Sequence, residues 1–133
     1  MSRAVRVRER MRPGAVAVAW HDSAEAALAR MRAAGLDAIP VVNELRVIGL
    51  VERSAAGAAQ RGGNWLGAVP VASLMRRGAF ACRTADTLEQ ACSLMDRLDA
   101  DLLAVVDEAG RVAGVIDRDR LLATARPALA AAG

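Results

Sequence analysis

Apolar and polar positions along the chain fall into one pattern that is written twice. Leu36-Asp37-Ala38-Ile39-Pro40-Val41-Val42-Asn43 and, after a short turn, Val47-Ile48-Gly49-Leu50-Val51 are near-continuous apolar runs of strand length. They predict two strands covered on both faces and joined as a hairpin. Asp101-Leu102-Leu103-Ala104-Val105-Val106-Asp107 and Val112-Ala113-Gly114-Val115-Ile116 repeat them. The first strand recurs at a spacing of 64 (37 to 101) and the second at 65 (49 to 114), so the second turn is one residue longer.

The repeat extends upstream. Pairing Met11–Asn43 with Met75–Asp107 gives 12 identities in 33 positions without a gap. Among them are Met11/Met75, Asp22/Asp86, Glu25/Glu89, Met31/Met95 and Asp37/Asp101. Alanine matches weigh little in a chain with 31 alanines, so the acidic and methionine matches carry the assignment. In the first copy Ala24, Ala27, Leu28, Met31 and Ala34 fall on one face of a helix. Asp22-Ser23 opens it, Glu25 stands three residues after Asp22 in capping-box spacing, and Gly35 stops it. In the second copy Asp86 and Glu89 repeat the spacing, and Leu88, Ala91, Cys92, Met95 and Leu98 form the buried stripe.

The remaining elements follow in order. Residues 4–7 are expected as a short strand and 8–11 as a helical turn ended by Pro13-Gly14. Ala15–Ala19 and Phe80–Arg83 are weak strands before the two helices. Ser54 is placed to cap a helix running to about Gln60, and a last helix spans about Asp119–Ala125, ahead of Pro127. Each repeat is therefore strand, helix, strand, strand, helix: an α/β (α+β) chain of two pseudo-symmetric β-α-β-β-α repeats at residues 5–60 and 69–125. Residues 61–68 form the linker, in which Trp65 is expected to pin the chain to the core, and 126–133 a frayed tail.

Composition narrows the class. A 54% hydrophobic content with only three aromatic residues describes an aliphatic core, and 133 residues suit two small repeats sharing it. No apolar run reaches membrane-spanning length and no uninterrupted apolar region follows the Arg-rich N-terminus, so a cytoplasmic protein is expected. Cys82 and Cys92 fit no metal spacing and are read as small buried hydrophobes. All 18 basic residues are Arg, which with abundant Ala fits a GC-rich bacterial genome. The net charge of +3 comes from residues 1–64, where 10 Arg face 6 acids, and is concentrated in Arg3, Arg6, Arg8, Arg10 and Arg12. With no aromatic or helical recognition element beside them, these are read as the solvated side of a strand rather than as an arm for nucleic acid. His21 has no acid, Cys or Ser partner in a recognisable arrangement and is read as a surface loop residue.

A β-α-β-β-α unit repeated after about sixty residues resembles a tandem pair of cystathionine-β-synthase (CBS) domains, a Bateman module. The resemblance is carried by Met11-Arg12-Pro13, Asp22-Ser23, Asp37–Val42 and Val47–Val51. In the second copy it is carried by Leu74-Met75-Arg76, Asp86-Thr87, Leu103–Asp107 and Gly110–Arg118. It implies a regulatory module that is not an enzyme. It also implies two clefts between the repeats, an adenosyl ligand such as AMP, ATP or S-adenosylmethionine, and a homodimer formed through helices. The implied lining is Val18, Ala38, Ile39, Pro40, Glu52, Ser54, Cys82, Leu102, Ala104, Asp117, Arg118, Asp119 and Arg120.

The junction after each hairpin departs from the family pattern of Gly, two apolar residues, Ser/Thr, two variable residues and Asp. The two junctions read Gly49-Leu50-Val51-Glu52-Arg53-Ser54-Ala55 and Gly114-Val115-Ile116-Asp117-Arg118-Asp119-Arg120. Carboxylates stand where a hydroxyl meets phosphate, and the ribose-binding Asp is lost to Ala55 and Arg120. Adenine nucleotides are therefore expected to bind weakly or not at all. The second cleft is weighted as the more occupied, with an Arg reaching over Asp117. Gly49 and Gly114 are read as sites of close packing at least as readily as of ligand approach. Leu94, on the flank of its helical stripe with Arg30 as counterpart, is offered to a dimer partner. Two other functions compete: a dimerisation module with vestigial clefts and no ligand, and polyanion binding through the Arg arm. The regulated protein is not named by the sequence.

Overall fold

The computed structural model describes residues 4–125, the side chains of 122–125 excepted. The tail expected at 126–133 lies outside the described residues. The described residues are mixed α+β, with two four-stranded sheets and four helices, and they divide into two compact units: Val16–Phe80, and residues 4–15 together with 81–125.

In the first of these units the hairpin is β3 (Ala38–Asn43) and β4 (Arg46–Glu52). It is flanked by the short strands β2 (Val18–Ala19), parallel to β3, and β5 (Arg76–Arg77), antiparallel to β4. Helices α1 (Ala24–Ala34) and α2 (Arg53–Arg61) belong to it. The other unit repeats this with the hairpin β7 (Leu102–Val106) and β8 (Val112–Asp117), flanked by β6 (Ala81–Arg83), parallel to β7, and β1 (Arg12–Pro13), antiparallel to β8. Its helices are α3 (Leu88–Leu98) and α4 (Arg118–Ala125).

Each unit therefore takes its outer strand from the other sequence repeat. The strand after Met11 pairs with the second hairpin, and the strand after Met75 with the first. This exchange explains the central glycine of each hairpin. A Cβ on Gly49 would stand 2.7 Å from both the Arg76 carbonyl oxygen and Met75 Sδ. One on Gly114 would collide with the Arg12 carbonyl oxygen and lie 3.1 Å from Met11 Sδ. The glycines admit the crossing strand, and the methionine identities at 11 and 75 mark the side chains that cover them.

The helical stripe of α1 buries Ala24, Ala27, Leu28 and Met31 as its spacing requires. Gly35 ends the helix in the left-handed conformation at φ 67, and Asp99 takes that role after α3 at φ 48. In α3 Ala91 and Met95 are buried, whereas Cys92 is exposed rather than part of the stripe. The helix starts sit one residue later than the Asp-Glu spacing suggested. Ser23 caps α1 by accepting from Ala26 N–H at 3.1 Å, and Thr87 forms a capping box with Gln90. Asp22 and Asp86 close the preceding turns instead, accepting from the N–H groups of Ala19 and Arg83 at 2.9 Å each.

Three other local expectations are corrected. Residues 4–7 form no strand: Arg6 makes an isolated bridge to Thr87, and Val7–Glu9 is a 3-10 turn. Val7 is fully buried there, its N–H bonded to the Asp86 carbonyl at 2.7 Å. Of the Arg arm, Arg6 donates to the Ala85 carbonyl while Arg8 and Arg10 stay exposed. In the linker it is Leu66, not Trp65, that is buried against α1, and Trp65 remains 75% exposed. Among the described residues no helix is long and apolar enough to cross a membrane.

Candidate functional site

The two strand-to-helix junctions carry the same polar clasp. Where β4 runs into α2, Arg53 N–H donates to the Asp37 carbonyl at 2.8 Å, and its guanidinium reaches the Asp37 carboxylate at 2.9 Å and the Leu36 carbonyl at 3.1 Å. Where β8 runs into α4, Arg118 N–H donates to the Asp101 carbonyl at 3.0 Å. Its Nε meets the Asp101 carboxylate at 2.7 Å and its Nη1 the Asp96 carboxylate at 2.9 Å. These hydrogen bonds, Asp96 first and then Asp101, hold the Arg118 pKa above its ordinary value. Asp37, Arg53, Asp96 and Asp101 were not among the expected site residues. The Asp37/Asp101 identity and the matching Arg at both junctions were the available signal.

The two junction carboxylates, equivalent in sequence, do different work. Asp117 accepts from Arg120 N–H at 2.7 Å and caps α4. Glu52 is the N-cap residue of α2, so Ser54 lies inside the helix and does not cap it. Glu52 makes no side-chain cap; its half-buried carboxylate lies 3.8 Å from the Arg76 guanidinium. The difference is one methylene, since the short Asp side chain reaches the third helical N–H in the usual cap geometry. Of the two arginines, Arg118 and Arg120, from which one was expected to reach over Asp117, Arg118 does not, because its bonds run to Asp96 and Asp101.

The expected lining residues separate into two groups. Val18, Ile39, Pro40, Cys82, Leu102 and Ala104 are buried strand residues. Burial, with a smaller contribution from Asp86, pushes the Cys82 thiol up to about 12, so it is inert as a nucleophile. Ala38, Glu52, Asp117 and Arg118 are half-buried, and Ser54, Asp119 and Arg120 are exposed. In the Val16–Phe80 unit the strand register sets the small Ala38 opposite Glu52, next to Asp37 and Arg53. Beside them runs an open groove of about 410 Å³ lined by Asp37, Glu52, Arg53, Ser54, Gly57 and Arg61. Among the described residues no group of three or more His, Cys, Asp or Glu is placed to hold a metal ion. His21 is an exposed loop residue stacked edge-on to Trp20.

Known proteins bear on this arrangement. The CBS domain profile matches residues 7–55 and 71–126. No curated protein sequence matches the chain. Solved structures do. CBSX2 from Arabidopsis thaliana superposes with a TM-score of 0.74 at 21% identity, covering 92% of this chain and 95% of its own, and CBSX2 has also been solved in complex with AMP. The CBS domain pair of MJ0100, in complex with 5'-methylthioadenosine and S-adenosyl-L-methionine, gives 0.77 at 13% identity, covering 92% and 96%. The CBS domain of the bacterial CNNM/CorC family Mg2+ transporter, in complex with ATP, gives 0.69 at 22% identity, covering 89% and 84%. At these identities the structures speak for the fold. With the profile matched twice over most of its length, this chain belongs to the CBS domain family as a tandem pair.

Proposed function

We propose that the chain is a non-catalytic regulatory module of the cytoplasm that takes up a small adenosyl-type ligand, works as a homodimer, and passes the ligand's occupancy to a separate regulated protein. The observation that carries the ligand reading is Glu52. It is a half-buried carboxylate not used in capping, beside the small Ala38, and suited to accept the two hydroxyls of a ribose. Adenosyl ligands in the CBS structures above support the class.

The same carboxylate selects within it. A charge about 4 Å from a phosphate oxygen is repulsive by roughly 1 kcal/mol in water and about 4 kcal/mol at a surface-like dielectric. The Arg76 guanidinium offsets part of this. S-adenosylmethionine or methylthioadenosine is therefore favoured over ATP and AMP. The better-equipped junction is that of Glu52, because Asp117 is engaged in capping α4 and Arg118 in its clasp.

Calorimetry with ATP, AMP, S-adenosylmethionine and methylthioadenosine tests this. The expected order puts an uncharged-tail or cationic ligand at least ~10-fold tighter than ATP, about 1.4 kcal/mol, with Glu52→Ala erasing the preference. Sub-micromolar affinity for ATP or AMP overturns it. If saturating amounts of all four leave the melting temperature unchanged, the ligand reading fails and a dimerisation module with vestigial clefts replaces it.

A further inference from the structure

We propose that Met11 and Met75 form a paired oxidation site, at which a peroxide converts each thioether to a sulfoxide and so loosens the outer strand of each unit.

The four described methionines divide into two pairs. Met31 and Met95, on α1 and α3, are fully buried. Met11 and Met75 are half-buried and stand directly before the outer strands β1 and β5. Each is tied to the turn before it. Met11 N–H donates to the Val7 carbonyl and Met75 N–H to the Val71 carbonyl, at 2.9 Å in both cases, and both valines are fully buried. The sulfurs then lie against the hairpin glycines: a Cβ on Gly114 would stand 3.1 Å from Met11 Sδ, and one on Gly49 2.7 Å from Met75 Sδ. Met75 also packs on the buried cluster that includes Val18, Val41 and Val51. Both side chains are thus partly open to a small oxidant on one side, and have no room for a further atom on the other.

The step is an oxygen transfer. The thioether sulfur attacks one oxygen of hydrogen peroxide, a sulfur–oxygen bond forms and the oxygen–oxygen bond breaks. The second oxygen leaves as water carrying both hydrogens, so sulfur is oxidised and peroxide reduced. A flexible apolar side chain becomes a polar, chiral one. Holding the new oxygen against aliphatic side chains costs its hydration, and lifting the strand relieves that. Few bonds oppose the lift. Strand β5 pairs with β4 through Arg76 and Arg77, and β1 with β8 through Arg12 and Pro13, which has no N–H to give. Beyond them Gly78 N–H donates to the Ile48 carbonyl and Gly14 N–H to the Ala113 carbonyl, at 3.0 Å each. Directly after these bonds the chain leaves each unit for the other, between Ala15 and Val16 and between Phe80 and Ala81. Oxidation therefore acts on the last paired residues before both crossings.

The test is hydrogen peroxide on the full chain carrying Cys92→Ser, which removes the exposed thiol. Peptide mass spectrometry should find Met11 and Met75 oxidised at least ~10-fold faster than Met31 and Met95, with the difference gone in denaturant. The oxidised protein should melt at least about 4 °C lower. Its Gly14 and Gly78 amide hydrogens should exchange at least ~10-fold faster, while amides between β3 and β4 keep their rates. Methionine sulfoxide reductases, one for each sulfoxide epimer, should restore both readings. Met11→Leu combined with Met75→Leu, a volume-conserving change, should leave the melting temperature unmoved by peroxide. Met31 or Met95 oxidised as fast as the other pair overturns the proposal, as does an oxidised chain with unchanged melting and exchange. A loss of stability that persists in the leucine variant also overturns it. Mapping and exchange are read on the unsubstituted methionines, so they decide the matter even if the leucine variant does not fold.

Discussion

Replacing Gly49 with alanine isolates the strand exchange that builds each unit. By backbone entropy alone the change should stabilise, because alanine in a strand saves up to ~1 kcal/mol relative to glycine. The structure reverses the sign. The new methyl would stand 2.7 Å from both Met75 Sδ and the Arg76 carbonyl oxygen. The sulfur can move, but the carbonyl belongs to β5, registered against Leu50. Relieving the contact means pushing β5 away from β4. Overpacking costs about 1–3 kcal/mol, and a clash with backbone belongs to the upper part of that range, about 2–3 kcal/mol, which leaves a net loss of about 1–2 kcal/mol after the entropic gain. For a chain of this size that lowers the melting temperature by roughly 4–8 °C. Urea and thermal unfolding followed by circular dichroism measure it. Gly114→Ala should act likewise, through the Arg12 carbonyl and Met11 Sδ. Adding Met75→Ala to Gly49→Ala should not restore stability, because the carbonyl remains. A Gly49→Ala protein as stable as the wild type refutes the reasoning, and rescue by Met75→Ala would place the clash in the side chain alone.

Three further outcomes follow from the sites. Cys82, pushed up to about 12 against a reference of 9.0, stays protonated in the folded chain while an unfolded thiol ionises; stability is thus fully present below pH 9 and falls between pH 9 and about 12, with a slope approaching 1.4 kcal/mol per pH unit that Cys82→Ala removes. The same thiol should resist a thiol-reactive dye at pH 8 while the exposed Cys92 reacts, so native protein titrates one thiol and denatured protein two. Asp117→Ala, which strips the cap of α4, should cost about 1 kcal/mol in urea unfolding, whereas Glu52→Ala, with no cap bond to lose, should cost less than half of that; equal losses would show that the two carboxylates do not differ as described.

The fold was largely legible because its signals are additive along the sequence. Doubly apolar runs of strand length, a helical stripe and a 64-residue self-match each recur, and no local choice opposes another. Val42↔Val47 and Val106↔Val112 register the two hairpins with the longer second turn that the 65-residue spacing required. What was misplaced turns on single residues. Ser23 and Thr87 cap where Asp22 and Asp86 were expected, because an aspartate one residue earlier can serve the turn before the helix as well as the helix itself. Trp65 was expected to pin the linker to the core, yet Leu66 is buried there and leaves the larger ring outside. The exchange of outer strands left only a methionine and a glycine in each repeat as its trace, and neither residue says which hairpin its strand will join.

The junctions show why the site was harder to read than the fold. Sequence comparison treats Glu52 and Asp117 as one substitution made twice, a carboxylate for a hydroxyl. Physically they are opposites. A residue one bond from the backbone can bend onto the N–H groups of the helix it starts, and Asp117 does so. Adding a methylene carries the carboxylate past those donors, and Glu52 meets Arg76 on the neighbouring strand instead. One carboxylate is thereby absorbed into a helix cap, and the other stays at the half-buried junction beside Arg76. On the function proposed above, the first repeat keeps a carboxylate for a ribose while the second spends its own on holding a helix, although both inherit the same clasp of Asp and Arg beside them. A tandem repeat preserves its packing positions in duplicate because both copies need a core. Its junctions lie outside that core and are free to diverge, and here the length of a single side chain is enough to separate them.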